Sequence, residues 1–176
     1  PNSAIERAKP HRVLDGGPGG RCNARQRLRC ARLALVSPAI HEAGFADLDV
    51  ATLYAILRLR VDVFVVEQHC AYPELDGLDA DARHYWTTED GAVLAYVRAI
   101  DEGDRRRIGR VVTAASARSR RLARALMEYA LEHTAPPWTL SAQTYLRGWY
   151  ASFGFEEIGA EYVEDGIPHV DMSRLA

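Results

Sequence analysis

The stretch Ile108 to Ala130, IGRVVTAASARSRRLARALMEYA, constrains the chain more than any other. Its β-branched run, Ile108, Val111, Val112 and Thr113, predicts a buried strand. The small residues Ala114 to Ala117 break that run. From Arg118 onward the apolar positions Leu122, Leu126, Tyr129 and Ala130 share one face of a helix. A strand that leads straight into a helix offers the unpaired N–H groups of the first turn and the positive end of the helix dipole. Arg118, Arg120, Arg121 and Arg124 add cations to that turn. Together these features predict an anion site, with a phosphate-bearing ligand as its natural guest. A solvated helix face is the bland alternative for the four arginines, with Arg118 and Arg121 the two best placed to meet phosphate.

With 176 residues, 48% of them hydrophobic, the chain has enough material for one domain with a sizeable core. Its net charge is −2 and its pI about 6.3, so the overall balance asks for neither nucleic acid nor membrane. The charge is uneven. Residues 1–37 carry eight Lys or Arg against Glu6 and Asp15, a net of +6, which leaves −8 for the remainder. They also contain Gly16-Gly17-Pro18-Gly19-Gly20, a breaker cluster. We therefore expect a basic, flexible extension over 1–37 and a folded domain over 38–176. A nucleic-acid-binding arm would interleave aromatic residues with the charges, and this one does not.

Cys22, Cys30 and Cys70 are odd in number and lack C-x-x-C spacing, which argues against a zinc site or a disulfide framework and for reduced thiols. No apolar run reaches the roughly 20 residues that span a bilayer. Residues 27–39, RLRCARLALVSPA, imitate a signal peptide, but their apolar part is too short. The expected location is cytoplasmic, with no membrane partner.

Taken in order, His41 to Phe45 predicts a first strand, and Asp47 or Asp49 caps a helix carrying Leu53, Ile56 and Leu57. Arg58 and Arg60 lie on its later turns, where cations favour the negative helix end. Val61 to Val66 is a β-branched run that periodicity alone assigns neither to helix nor to strand. Residues 71–83 are acidic and turn-rich, and predict a loop or short helix over a cleft. Strands follow at His84–Thr88 and Val93–Ile100, with Asp90-Gly91 as a hairpin cue and Asp101–Arg107 as a charged turn. Pro136 and Pro137 stop the central helix. A strand at Trp138–Ala142, a helix at Tyr145–Phe153 capped by Gly154, and strands at Phe155–Ile158 and His169–Met172 complete the chain.

Several of these stretches resemble the GNAT superfamily of N-acetyltransferases. The R/Q-x-x-G-x-G/A pattern of its acetyl-CoA pyrophosphate loop is met by Arg118 at the first position and Ala123 at the last. Arg121 stands where the pattern has glycine, the residue that lets a backbone approach phosphate without a Cβ. Arg60 to Gln68 with Tyr72 to Gly77, and Glu164 to His169, resemble the ElaA-type branch. Tyr150 to Phe155 matches Y-x-x-x-G-F, the signature that follows the fifth GNAT strand.

The resemblance implies an α/β fold, a mostly antiparallel, centrally splayed sheet of about seven strands with helices on both faces. It implies acetyl-CoA as cosubstrate and direct transfer to an amine in a ternary complex. The cofactor-binding residues it points to are Val111, Val112, Thr113, Arg118, Ser119, Arg120, Arg121, Leu122, Ala123 and Arg124. Acetyl transfer requires stabilisation of the thioester oxygen, a proton leaving the ammonium and a proton reaching the thiolate. The resemblance assigns the first task to backbone N–H groups around Val111 to Thr113 and the last to Tyr150. A phenol of pKa about 10 lies just above a thiol of about 8.5, so donation to the thiolate is feasible.

Glu67 and His84 are candidate bases, His84 for its usable pKa and Glu67 for its place in the motif; Asp165, His169 and a water chain stay open beside them. Glu74 and Asp76 are expected to attract a cationic acceptor. The acceptor is an amine on a small molecule or a protein, and a homodimer is one assembly open to such a chain. Two other readings compete: an acylhomoserine-lactone-synthase-like acyltransferase, and a CoA-binding regulatory module without catalysis.

Overall fold

Two Asp-Gly pairs shape the sheet. In the computed structural model, which describes residues 38–176, Asp90 and Gly91 take φ values of 50° and 78°. A two-residue turn between right-twisted strands needs this left-handed pair. The strands are β1 (Ile40–Gly44), β2 (Ala82–Glu89), β3 (Ala92–Asp101), β4 (Arg106–Thr113), β5 (Trp138–Gln143), β6 (Glu156–Glu164) and β7 (Ile167–Arg174). Their order across the sheet is β1-β2-β3-β4-β5-β7-β6. Asp165 and Gly166, at 50° and 79°, repeat the turn between β6 and β7. That hairpin is tighter, and its strands longer, than the sequence predicts. Every residue of β6 is exposed, so no alternation of burial marks its extent.

Helix α1 (Val50–Arg60) opens on Asp49, whose carboxylate accepts from the Thr52 N–H at 2.9 Å. Val61–Glu67 continues it as a turn of π-helix and adds no strand. Strand propensity loses here because Val63 packs with Ile56 and Leu59 onto Trp86, Tyr96 and Val112, extending one apolar face. Helix α2 (Leu122–His133) covers the opposite face, setting Leu122, Leu126, Met127 and Ala130 against Tyr85, Val97, Ala99 and Ile108. The predicted helix over Tyr145–Phe153 divides into a 3₁₀ turn at Thr144–Leu146 and α3 (Arg147–Ala151). Gly154, at φ 86°, ends it. Its N–H bonds Ala151 O, and the Phe155 N–H bonds Tyr150 O, a Schellman arrangement.

The site is set by a break in the ladder. β4 and β5 are the parallel pair, and they meet only at Arg106–Trp138 and Arg107–Thr139. β5 then follows β7 along its whole length while β4 stays with β3. Residues 1–37, with the predicted basic extension, lie outside the described residues.

Candidate active site

Where β4 and β5 part, a cleft of about 400 Å³ opens. β4 contributes Ile108 to Val111, β5 contributes Leu140, Ser141 and Gln143, and α3 contributes Tyr150. The end of the π-helical segment (Phe64, Gln68), the following loop (Cys70, Tyr72) and the β6–β7 hairpin (Glu164, Asp165, Ile167, His169) close its sides.

β4 is bulged inside this cleft. Arg98 faces Gly109 and Tyr96 faces Val112, so Arg110 and Val111 together oppose Val97. Arg110 carries the distortion with φ 52°, a left-handed conformation that costs an arginine about 1–2 kcal/mol. Its side chain fixes the bulge, because Nε donates to Glu74 Oε1 at 2.8 Å and Nη2 to Asp76 Oδ2 at 3.0 Å.

Those carboxylates belong to a buried network. Arg60, fully buried, donates to Glu74 Oε1 at 2.8 Å and Asp79 Oδ1 at 2.7 Å. Arg98 donates to Asp76 at 2.8 and 2.6 Å and to Asp79 at 2.9 Å. Burial alone would raise the pKa of Asp76 and Asp79, yet their arginine partners outweigh it and hold both below the usual carboxylate range. Glu74 and Asp76 therefore brace the loop against β3 and β4, and their charge is already compensated. They do not serve as the free cation attractant expected from the sequence. Arg60 lies in the last turn of α1, as the sequence predicts, and its charge is held by this network. The acidic groups that line the cleft without an ion pair among the described residues are Glu164 and Asp165.

A second cavity, of about 410 Å³, is lined by Thr113, Ala117 to Ser119, Arg121 to Arg124 and Trp149. Helix α2 begins at Leu122, later than predicted, because Ser119 and Arg121 take φ values of 68° and 60° and hold Arg118 to Arg121 as a loop. Arg121, in the glycine position, adopts the left-handed backbone itself. Paired left-handed residues ahead of a helix turn successive N–H groups toward one concavity, which suits an anion.

The arginines are divided. Arg118 Nη2 bonds Glu67 at 2.6 Å while its buried Nε has no partner among the described residues. Arg120 is held bidentate by Glu89 at 2.8 Å. Arg124 reaches Ser152 at 2.6 Å and lies over the Phe153 ring. Arg121 carries no ion pair among the described residues. The orphaned Arg118 Nε and the uncapped N-terminus of α2 fit a pyrophosphate; Arg120 points to the surface pair instead.

Tyr150 lines the cleft and is buried, its phenol pKa raised by burial and, to a smaller degree, by Tyr145. Trp149, its neighbour, lines the loop cavity, so α3 spans both spaces. Glu67 and His84 do not line the cleft. Glu67 holds Arg118. His84 is fully buried on β2, with Nδ1 to Tyr96 Oη at 2.7 Å and Nε2 to Asp79 O at 3.0 Å. Burial lowers its pKa, against the opposing pull of Asp79. Both ring nitrogens are thus engaged inside the protein, where no acceptor reaches. Gln143 and Tyr145 were missed by sequence reasoning; Tyr145 Oη bonds Gln143 Oε1 at 2.5 Å at the cleft wall. No local signal marks either of them.

The comparisons with known proteins agree with this geometry. The acetyltransferase (GNAT) domain family matches residues 55–176. A UPF0039 protein of Mycobacterium tuberculosis is 44% identical over 147 residues, covering 79% of this chain and 94% of its own. The crystal structure of an acyl-CoA N-acyltransferase from Pseudomonas aeruginosa superposes with a TM-score of 0.73 at 42% identity, covering 77% of this chain and 99% of that one. Escherichia coli ElaA also superposes with a TM-score of 0.73, at 37% identity and with the same coverage. No helix among the described residues is long and apolar enough to cross a membrane. The chain belongs to the GNAT acetyltransferase family, in its ElaA-type branch, and has the acyl-CoA N-acyltransferase fold.

Proposed function

We propose that this protein is an acetyl-CoA-dependent N-acetyltransferase that passes the acetyl group directly to a primary amine in a ternary complex. One observation carries the reading: Thr113 and Trp149 line the loop cavity while Val111 and Tyr150, close by on the same elements, line the cleft. A cosubstrate held by its phosphates at the loop therefore has a path along β4 to a buried phenol.

In this reading Ser119, Arg121, Leu122 and Ala123 offer backbone N–H groups to the pyrophosphate, and Arg118 its guanidinium. The bulge at Arg110 and Val111 interrupts the ladder with β3 where β4 has already parted from β5, and a backbone N–H left there is the donor this reading assigns to the oxygen that gains charge during transfer. Val112 and Thr113 resume the ladder with Tyr96 and Ala95 and hold that donor in place. Acetyl-CoA supplies the activated acyl group. Tyr150 gives its phenolic proton to the departing sulfur; burial raises the phenol further above a thiol, so it stays protonated until the C–S bond breaks, and the transfer is drawn forward by collapse of the intermediate rather than by the pKa difference. Glu67 serves as the anchor of Arg118, and His84 as a packed tie between β2 and β3. Glu164 and Asp165 at the cleft favour a cationic acceptor, such as a short polyamine or an aminoglycoside.

The test is thiol release from acetyl-CoA by the purified protein across a panel of primary amines. Wild type is expected to turn over at least one of them. Tyr150→Phe keeps the ring and removes the proton, so kcat should fall about 10²–10⁴-fold while acetyl-CoA affinity holds. Tight acetyl-CoA binding without turnover for any amine would instead support a regulatory module.

A further inference from the structure

We infer that His169 is the general base of the reaction, an assignment that rests on the N-acetyltransferase reading above. His169 is on β7, paired across the sheet with Gln143 of β5 and Tyr162 of β6. It is half-buried and lines the same cleft as Tyr150. Its Nδ1 lies 2.8 Å from Ile167 O. A carbonyl oxygen only accepts, so Nδ1 carries the hydrogen and Nε2 of the neutral ring keeps its lone pair. Tyr162 stacks on the ring, with centroids 6.0 Å apart and planes 20-odd degrees from parallel at 23°, which fixes its orientation.

The contrast with His84 decides between the two histidines. Both nitrogens of His84 are bonded inside the protein, whereas His169 has a tautomer set by its own strand and one nitrogen to spare. The titratable groups that share its cleft or touch its ring include Tyr162 of β6, Tyr145 and Tyr150 beyond β5, Glu164 and Asp165 of the hairpin, Cys70 against that hairpin, and Arg110 of β4, with Asp171 further along β7. Asp171 is taken up by Ser141 and Tyr162, with bonds of 2.7 and 2.8 Å. The two hairpin carboxylates draw the ammonium toward the cleft, and the imidazole relieves it of a proton.

The ammonium brings three protons. His169 Nε2 takes the first, which passes to solvent. The freed lone pair forms the C–N bond at the acetyl carbon. As the intermediate collapses the C–S bond breaks, and the sulfur takes a proton from Tyr150. Tyr150 regains one from the nitrogen of the nascent amide, which keeps the third.

The experiment compares wild type and His169→Gln with two acceptors, a strongly basic amine that is protonated at assay pH and a weakly basic one, such as an alkoxyamine, that is already neutral. For the basic amine kcat/KM should fall about 10²–10⁴-fold, with acetyl-CoA affinity by calorimetry unchanged. For the neutral amine the loss should be at least tenfold smaller, since no ammonium proton has to be removed before attack. The ratio between the two amines is read on one preparation, so partial misfolding cancels. Equal losses for both amines, or wild-type rates with the basic one, would overturn the assignment while leaving the N-acetyltransferase reading intact. Failure of wild type on every amine would sink both.

Discussion

Replacing Arg60 with Met tests whether the buried charge network holds the active-site loop. Arg60 has no solvent exposure and donates three bonds, to Glu74 Oε1 at 2.8 Å, Asp79 Oδ1 at 2.7 Å and the Glu74 carbonyl at 3.4 Å. Two of these are short and charge-assisted, worth about 1.5–3 kcal/mol each. Met fills most of the volume, so the cavity contribution is small. The larger effect is on the partners left behind: Glu74 is 3% exposed, its Oε2 is already unpartnered, and it would keep only Arg110. Asp79 would keep Arg98. Removing one member of a buried pair costs about 3–5 kcal/mol, and the surviving cations place this case within that range and no higher. For a domain of this size that is a fall in Tm of roughly 6–20 °C. Urea unfolding followed by circular dichroism should show a lower midpoint at constant slope. A loss below about 1 kcal/mol would refute the reasoning, and would mean that the loop is held by its apolar contacts instead.

Acid should unfold the protein through the same network. Asp76 and Asp79 have folded pKa values below their unfolded ones, so their contribution is complete above about pH 4 and disappears as the pH falls through that value toward the folded ones; a melting temperature flat from pH 6 down to pH 3 would contradict this. Arg118→Ala should weaken acetyl-CoA binding about tenfold and flatten its dependence on salt, both read by calorimetry. Arg121→Gly relieves the left-handed backbone by about 1 kcal/mol but gains a similar amount of unfolded-state entropy, so Tm should barely move. The same variant should bind acetyl-CoA more weakly, because Arg121 is the loop arginine without an ion pair among the described residues; tighter binding would show that its Cβ obstructs the phosphates.

What the sequence determined by itself is local. Asp90-Gly91 between two β-branched runs favours a left-handed pair, and Gly154 favours a helix end, so the first hairpin and the α3 terminus were legible, whereas the tight turn at Asp165-Gly166 was not. The step from strand to phosphate loop to helix at Ile108 to Ala130 was legible for the same reason: period, breaker and helix face are properties of neighbouring residues. The order of the motifs then carried the family. Tertiary structure alone decided which charges meet. Arg60 finds Glu74 and Asp79, and Arg110 finds Glu74, across 14 to 36 residues, and nothing in their spacing distinguishes a buried brace from a solvated acidic loop. It decided that Val61–Glu67 stays helical, because the face it extends is completed by β2, β3 and β4. It also separated the histidines. His84 and His169 are alike as residues, but one lies under a closed layer at full burial and the other at a cleft that exists only because β4 and β5 part after two paired positions.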